Sequence, residues 1–505
     1  MGVESLSTGK LRLTRPIIQN TSMGMILFCL PGIYLALTGL GAGGGQPSST
    51  QVVSLTNAIL YGVYTVGAGS EVPSSTSCVQ NGPCIAIGGI GYPFYVGSLW
   101  YYDRIGHEAF PLFGKSVRDW CGRAPASSNS HMPKRRTRQR CYITYQWVLT
   151  SSGSTVGALI AFGINYDKQE ATGVSTSVYV AFIVIMCLAI CLDLLLIVDP
   201  RDVVRDDGRH IAIFKEPQLL DEMRGILAVL LDPKIIILIP AMFVGDMCLA
   251  LTSSINAYYF NLRTRSLNNL LFQAVMIPSP IALSYIMDSQ KIRSRRAKGF
   301  LGTAAVGAVT LGATAGLLAW IVRNGVDDQR SIAPAVDWTD AAFAAGFVLY
   351  LLFGVVFACF QIAVQWTLAS LTNEPALCAR YAGAFKGTFG LGMCASFVVD
   401  ARGVGYRDQT VVQLALYVVG LACLAYVIAV HVRDTNYFLE DTVIVPASVE
   451  EKLAVEAVGS EEINQMSKIV DEQGVEPWAS RMQSEHSTTE LHAHYGMEKN
   501  LCYRF

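Results

Sequence analysis

The sequence predicts an all-α, polytopic membrane protein, and two observations support that prediction. Hydrophobic residues make up 52% of the 505 residues and charged residues 15%, whereas about a quarter of the residues of a typical soluble domain are charged. The apolar residues also gather into runs of about twenty, the length with which a helix crosses a hydrocarbon core about 30 Å thick. We therefore expect a multi-pass integral membrane protein that is embedded in, and interacts with, the lipid bilayer. Either the plasma membrane or an internal membrane fits the sequence.

Eleven apolar runs are long enough to be membrane spans, and polar or glycine-rich stretches separate them. The predicted spans cover residues 16–40, 52–68, 85–101, 142–164, 174–198, 235–253, 267–287, 300–322, 341–368, 381–399 and 411–432. Two stretches in the first half are anomalous, 69–83 and 116–141, because each is polar where the run of spans would otherwise continue.

The basic loops predict the orientation of the spans. Six Lys or Arg residues lie in the central loop 199–234 and five in the loop 291–298, and such loops face the cytoplasm. We expect the basic N-terminus 1–15 to be cytoplasmic as well. Two cytoplasmic ends require an even number of spans between them, yet only five precede the central loop. One span is therefore missing from the half 16–198. With that span restored, this half has six spans, as the half 235–432 does, and the two halves match those of a pseudo-symmetric transporter. The polar tail 433–505 is predicted to be cytoplasmic and largely disordered.

Several short motifs carry a family resemblance. They are Cys29-Leu30-Pro31-Gly32 with the glycine run after it, Val198-Asp199-Pro200 with Arg205-Asp206-Asp207-Gly208, Asn261-Leu262-Arg263-Thr264-Arg265, and Tyr381-Ala382-Gly383-Ala384-Phe385-Lys386-Gly387. In this order and spacing they resemble the Unc-93-like family of the major facilitator superfamily, particularly its fungal branch, over most of 11–434. The resemblance implies a major facilitator fold of two six-helix halves. It also implies a role either in solute transport or in regulating or trafficking other membrane proteins.

The stretch 116–141 lies where the resemblance places the fourth span, so that span is disrupted in this chain. Eight Lys or Arg residues lie between 115 and 141, and we expect 116–141 to be irregular and outside the membrane. Codon degeneracy permits a reading shifted by two bases that yields an apolar span followed by a charged loop. Our hypothesis is that 116–141 is a frame-slip or mis-spliced translation of span four. The alternative, a genuine basic loop, leaves the odd number of spans unexplained.

Four polar residues inside the predicted spans are candidates for a functional site, because such groups are costly in a bilayer. Asp246 lies in the middle of one span and Lys386 early in another, while Gln361 and Gln365 lie one turn apart on a single helix face. One interpretation is that the four line a solute pathway. The other is that they only hold the bundle together, with Asp246 paired to Lys386 or the glutamines bonded to a neighbouring helix. The Lys386 position matches the family pattern; an acidic residue at 246 does not follow from it.

Two further aspartates lie near predicted span ends. Asp193 and Asp288 are close to the cytoplasmic boundary of their spans. We expect both to be solvated boundary residues rather than parts of a site.

Other function classes find no support in the sequence. We expect no enzyme, since catalytic motifs are not visible. We expect no metal site or cofactor, since zinc-ligand spacings are not visible either. The net charge of −1 gives no basis for nucleic-acid binding. The predicted function is therefore that of a secondary transporter moving a small solute or ion by alternating access. The competing prediction is a non-transporting facilitator-fold protein that regulates or traffics another membrane protein.

Overall fold

The computed structural model describes residues 16–46, 49–68, 82–105, 136–170, 173–197, 219–287, 289, 291–292, 294–326, 334–372 and 374–433. The chain forms two units, Met1–Asp434 and Thr435–Phe505, and every described residue belongs to the first. The N-terminus 1–15, most of the anomalous stretches, residues 198–218 of the central loop region and the tail from 434 lie outside the described residues.

Helices account for nearly all of the described chain. They are α1 (Pro16–Leu27), α2 (Ile33–Gly39), α3 (Thr50–Ala68), α4 (Gly82–Ile105), α5 (Arg136–Asn165), α6 (Thr176–Leu196), α7 (Leu219–Leu230), α8 (Pro233–Val244), α9 (Cys248–Tyr259), α10 (Leu262–Val275), α11 (Pro278–Met287), α12 (Arg295–Asn324), α13 (Phe343–Leu371), α14 (Pro375–Ala401) and α15 (Tyr406–His431). Each of the eleven predicted spans coincides with one of these helices or with a pair in series. Within the described ranges, nine such segments are long and apolar enough to cross a membrane, which confirms the all-α membrane fold.

The stretch 116–141 is only partly described. Residues 136–141 form the start of α5, so the expectation of irregular structure is wrong for these six residues. Residues 116–135 lie outside the described ranges, and the frame-slip hypothesis stays a prediction.

Three spans are built from helices in series because the chain interrupts them. In the first span, Phe28–Gly32 form a π-helical turn around Pro31, whose ring nitrogen cannot donate the usual helical hydrogen bond. The span 235–253 is the seventh when the missing fourth span is counted. In this seventh span, α8 ends at Val244 and α9 begins at Cys248, so Gly245, Asp246 and Met247 lie in the break. The eighth span changes from α10 to α11 just before Pro278.

The buried hydrophobic residues form two clusters, one in each half. One cluster lies almost entirely within residues 229–432 and the other almost entirely within residues 23–189. Close glycine contacts tighten both halves: Gly153 of α5 lies against the Phe28 carbonyl, and Gly392 of α14 lies against the Phe243 carbonyl. A Cβ atom at either glycine would collide with that backbone, so each contact requires the glycine.

Two ends of the helix bundle can be distinguished. One end carries residues 40–46, 260–261, 334–342 and 402–405, and we call it the clasp end. The other end carries residues 219–232, 289–294, 372–374 and 432–433, and we call it the basic end. Each span runs from one end to the other. The polar contacts between the halves described below concentrate at the clasp end.

Candidate functional site

The break in the seventh span holds a buried acidic side chain. Asp246 is 1% exposed, and its two carboxylate oxygens accept hydrogen bonds from Nε2 of Gln361 at 2.6 and 2.8 Å. Both residues were predicted from the sequence as candidate site residues, and the structure brings them together. Among the described residues, no cation lies within ion-pair distance of this carboxylate.

Side chains of two other spans donate hydrogen bonds to the backbone of the same break. The carbonyl of Met247 accepts from Ser396 Oγ at 2.9 Å and from Gln413 Nε2 at 3.2 Å. Because a bilayer supplies no water to satisfy such groups, α14 and α15 stabilise the interrupted backbone beside Asp246.

The other two nominated residues do not join this pair. Gln365 is exposed, one turn beyond Gln361 on α13, and Lys386 is half-buried on α14. The structure therefore brings together two of the four candidates, Asp246 and Gln361.

Asp193 does not behave as the sequence predicted. It is 0% exposed near the end of α6, and neither carboxylate oxygen has a hydrogen-bond partner. The prediction of a solvated boundary residue is wrong, because Asp193 lies on a buried face of α6, which packs against α1 and α4. Asp288 lies outside the described residues.

The glycine run after the first span forms a tight loop at the clasp end. The loop follows α2, and Gly41, Gly43 and Gly44 have φ of 73°, 59° and 81°. Gly41 combines its φ with ψ of 159°, a region essentially restricted to glycine. A Cβ atom there would also collide with the Ser253 carbonyl oxygen, so this glycine lets the loop of one half approach α9 of the other.

Arg265 of α10 inserts its side chain into this loop. The guanidinium is 0% exposed and donates to the carbonyls of Leu40 at 3.0 Å, of Gly41 at 2.9 Å and of Gly45 at 3.4 Å. Its planar fork of donors can reach several acceptors at once. A cation next to the C-terminus of α2 also lies at the negative end of the helix dipole.

Other side chains of the second half bind the last turn of α2 in the same way. Four such bonds join the halves: Asn256 Nδ2 to Gly39 O at 3.2 Å, Tyr350 Oη to Gly39 O at 2.8 Å, Asn269 Nδ2 to Ala36 O at 2.6 Å and Gln273 Nε2 to Leu35 O at 3.3 Å. The last carbonyls of a helix lack intrahelical partners, so the second half caps a helix of the first half. We call the contacts of Arg265, Asn256, Asn269, Gln273 and Tyr350 with residues 35–45 the clasp.

A second buried acid joins the halves at the same end. Asp400 of α14 is 0% exposed, and its Oδ2 accepts from Ser54 Oγ of α3 at 2.5 Å and from Ser254 Oγ of α9 at 2.6 Å. Two hydroxyl groups from opposite halves therefore meet at one carboxylate oxygen.

An ion pair lies at the rim of the clasp end. Arg263 makes two hydrogen bonds to the carboxylate of Asp337, one of them from Nε at 2.6 Å. These bonds hold the pKa of Asp337 well below its ordinary value. Next to the pair, the backbone N–H groups of Leu262 and Arg263 donate to Glu170 O at 3.1 Å and Lys168 O at 3.0 Å.

Neither Arg265 nor Asp400 was predicted from the sequence to be a site residue. Arg265 entered only as the last residue of the Asn-Leu-Arg-Thr-Arg motif, and the glycine run was a separate motif. A usable signal existed, because both motifs lie at the same end of the bundle once the spans alternate in direction.

Comparisons with known proteins agree with this architecture. No protein-family model matches the chain. It is 36% identical over 426 residues to an uncharacterized membrane protein of Schizosaccharomyces pombe, covering 83% of this chain and 85% of that protein. It is 29% identical over 436 residues to UNC93-like protein 1 of Arabidopsis thaliana, covering 85% of this chain and 93% of the relative.

Solved transporter structures share the fold. A mutant of the nucleoside transporter NupG superposes with a TM-score of 0.53 at 13% identity, covering 83% of this chain and 99% of the transporter. A D-xylose-proton symporter superposes with a TM-score of 0.51 at 10% identity, covering 83% and 98%. The chain therefore belongs to the same family as the S. pombe membrane protein, is similar to UNC93-like proteins over most of its length, and shares its fold with major facilitator transporters.

Proposed function

We propose that this chain is a secondary transporter that moves a small polar solute or ion by alternating access, with the clasp as the gate at one end. One contrast carries the proposal. Within each half, helices are in close backbone contact at glycines such as Gly153 and Gly392. Between the halves, the clasp consists of side-chain hydrogen bonds to backbone carbonyls.

The two kinds of contact respond differently to separation. When two helices that touch at a glycine separate, they lose van der Waals contacts that water does not replace. A hydrogen bond can instead be exchanged for bonds to water, which leaves a small net cost, about 1 kcal/mol for a neutral pair. Between the halves, α3 also packs against α14 and Gly41 lies against the Ser253 carbonyl. The exchangeable bonds of the clasp lower the cost of separating the halves at this end, as rocking motion requires.

We place the solute pathway beside Asp246, along the α13 face that carries Gln361 and Gln365, with Lys386 contributing from α14. The interrupted seventh span supports this placement, because broken helices near the midplane supply backbone and side-chain ligands in transporters. The two neighbours that share the fold are named for a nucleoside and for D-xylose with a proton. Small polar solutes are therefore the class to screen first.

A cross-link across the seam tests the proposal. Ser54 Oγ and Ser254 Oγ each lie within 2.6 Å of one oxygen of Asp400, so they are within about 5 Å of each other. The double variant Ser54→Cys/Ser254→Cys, reconstituted in proteoliposomes and treated with a short bifunctional thiol reagent, holds the clasp end shut. The liposomes are then incubated with a mixture of small metabolites, and mass spectrometry of their contents measures uptake.

We expect at least one solute to enter untreated liposomes and to be excluded after cross-linking. Each single cysteine variant, treated in the same way, controls for the native cysteines. If no solute enters liposomes holding the untreated wild-type chain, while that chain co-purifies with another membrane protein, the transporter proposal is wrong. The regulator or trafficking role then replaces it.

A further inference from the structure

The break in the seventh span lies beside a buried acceptor that has no hydrogen-bond partner. Gln413 of α15 is 2% exposed, and its Nε2 donates to the Met247 carbonyl at 3.2 Å. Its Oε1 has no hydrogen-bond partner among the described residues. Because Oε1 and Nε2 are bonded to the same carbon, this unpartnered acceptor also lies at the break.

Tyr417 adds a second such atom one turn further along α15. That helix lies against α8 at Gly420, where an added Cβ atom would be 3.0 Å from Cα of Ala241. The hydroxyl of Tyr417 is close enough to Asp246 and to the Cys248 thiol for an electrostatic interaction with each. Yet Tyr417 is 0% exposed, and no described residue gives its hydroxyl a hydrogen bond. Helix α15 therefore brings two unpartnered oxygen atoms to the break.

The carboxyl group of Asp246 brings a negative charge to the same place. Both of its oxygens accept from the Gln361 amide. This is the pattern of an ionised carboxylate, since a protonated carboxyl group keeps one oxygen as a donor. A buried carboxylate without a countercharge is costly, and the described part of the chain places no cation within ion-pair distance of it.

Two kinds of positive charge balance such an acid, a proton or a bound cation. A proton on Asp246 gives a hydrogen bond to at most one of the two unpartnered oxygens of α15. A cation is coordinated by several oxygens at once, so it satisfies the carboxylate, the Gln413 amide oxygen and the Tyr417 hydroxyl together. The three oxygens therefore favour the cation.

We propose that the break in the seventh span binds a monovalent cation between the Asp246 carboxylate, Gln413 Oε1 and Tyr417 Oη. These ligands are oxygen atoms, which hard cations prefer. A single carboxylate balances a single positive charge, so Na⁺ suits the site better than Ca²⁺ or Mg²⁺. Interrupted membrane helices hold ions of this kind in transporters. A cation beside the solute pathway acts as the coupling ion. Only this coupling role rests on the proposed function, and binding itself requires no transport.

Binding of radioactive Na⁺ to the purified full chain tests the proposal. The chain is titrated with NaCl in detergent and a mildly alkaline buffer, and choline chloride keeps the ionic strength constant. We expect saturable binding of one Na⁺ per chain and a higher thermal unfolding temperature in Na⁺ than in choline. Asp246→Asn should abolish the binding. Tyr417→Phe, which removes only the hydroxyl, should weaken it several-fold.

Two matched controls make the same changes in the other half. Asp193→Asn alters an acid that is equally buried, on α6. Tyr179→Phe removes a buried hydroxyl that donates to the Gly43 carbonyl at 3.2 Å. Both variants should bind Na⁺ as the wild type does. The unfolding transition in choline verifies that each variant is folded.

Three results would overturn the proposal. The first is a wild-type chain that neither binds Na⁺ nor is stabilised by it, which would mean that a proton or buried water satisfies the break. The second is binding that survives Asp246→Asn or is lost in Asp193→Asn, which would place the ion elsewhere. The third is equal affinity of Tyr417→Phe and wild type, which decides the matter even if Asp246→Asn fails to fold. A chain that binds Na⁺ and admits no solute contradicts the transporter proposal alone.

Discussion

At the scale of single residues, the buried carboxylate in the seventh span depends on one amide group for its hydrogen bonds. Gln361 is the hydrogen-bond partner of the Asp246 carboxylate in the described structure, and a carboxyl group this deeply buried has no access to bulk water. Removing the amide leaves that acid without its donor. The cost of an unmet buried acceptor exceeds the net value of the bond itself.

The first prediction compares two glutamines on one helix. Gln361→Leu should destabilise the protein by about 2–3 kcal/mol, because it removes a donor from a buried acid. Gln365→Leu, one turn further along α13, should change stability by less than about 0.5 kcal/mol, because that side chain is exposed. Thermal unfolding of both variants in the same detergent provides the measurement. Equal losses would show that the effect comes from leucine on this helix and not from Asp246.

At the scale of elements, the glycine loop and the rim of the clasp end fix where the first span stops. The loop combines a backbone conformation that only glycine adopts with direct contact to α9. The rim pair Arg263–Asp337 holds the start of α10 against the loop that precedes α13.

The second prediction concerns that glycine. Gly41→Ala should cost about 1–3 kcal/mol in backbone strain alone, with a further loss from the collision with the Ser253 carbonyl. Gly163→Ala is the matched control, since nothing lies within 4 Å of a Cβ atom there and alanine favours a helix. Thermal unfolding should show a lower midpoint for the first variant and an unchanged or higher one for the second. An unchanged unfolding midpoint for Gly41→Ala would contradict the observed loop conformation.

The third prediction is a pH dependence at the rim. Because Arg263 lowers the pKa of Asp337, the pair contributes its full stabilisation above the unfolded pKa of about 4. That contribution is lost as the pH falls below this value toward the folded pKa. The difference in unfolding temperature between wild type and Asp337→Asn should therefore be constant from about pH 7 to about pH 5 and shrink below about pH 4. A difference that grew on acidification would have the wrong sign for this pair.

The success of the sequence predictions also differs between elements. All eleven predicted spans coincide with helices, and nine segments of the described chain are long and apolar enough to cross a membrane, because a run of about twenty apolar residues has few other uses. The interruptions at 28–32 and 245–247 were not predicted, since each occupies only a few residues inside an apolar run. Arg265 and Asp400 were missed for a related reason. The predicted spans began at 267 and ended at 399, which left both residues just outside, where charged groups are ordinarily solvated. Their burial depends on contact with the other half, which no single span encodes.

At the scale of the whole molecule, the clasp makes the state of one end depend on both halves. Carbonyls of the first half are satisfied by side chains of the second. Separation of the halves must therefore admit water to the last turn of α2, because unsatisfied carbonyls in a bilayer are costly. The halves therefore separate at the clasp end only when the last turn of α2 becomes hydrated.

The last prediction follows from that coupling. Arg265→Gln removes charge-assisted hydrogen bonds to the carbonyls of residues 40, 41 and 45, and each such bond contributes about 1.5–3 kcal/mol. The variant should shift the ratio of open to closed clasp ends by about tenfold or more, since about 1.4 kcal/mol corresponds to a factor of ten. Spin labels on α3 and α14 at the clasp end should show a longer distance population in pulsed electron paramagnetic resonance. Labels on α8 and α15, both within the second half, should show no change, because the proposed rocking motion moves that half as one body. If the distances within the half lengthened as well, Arg265 would be holding the fold of the half together rather than the seam between the halves.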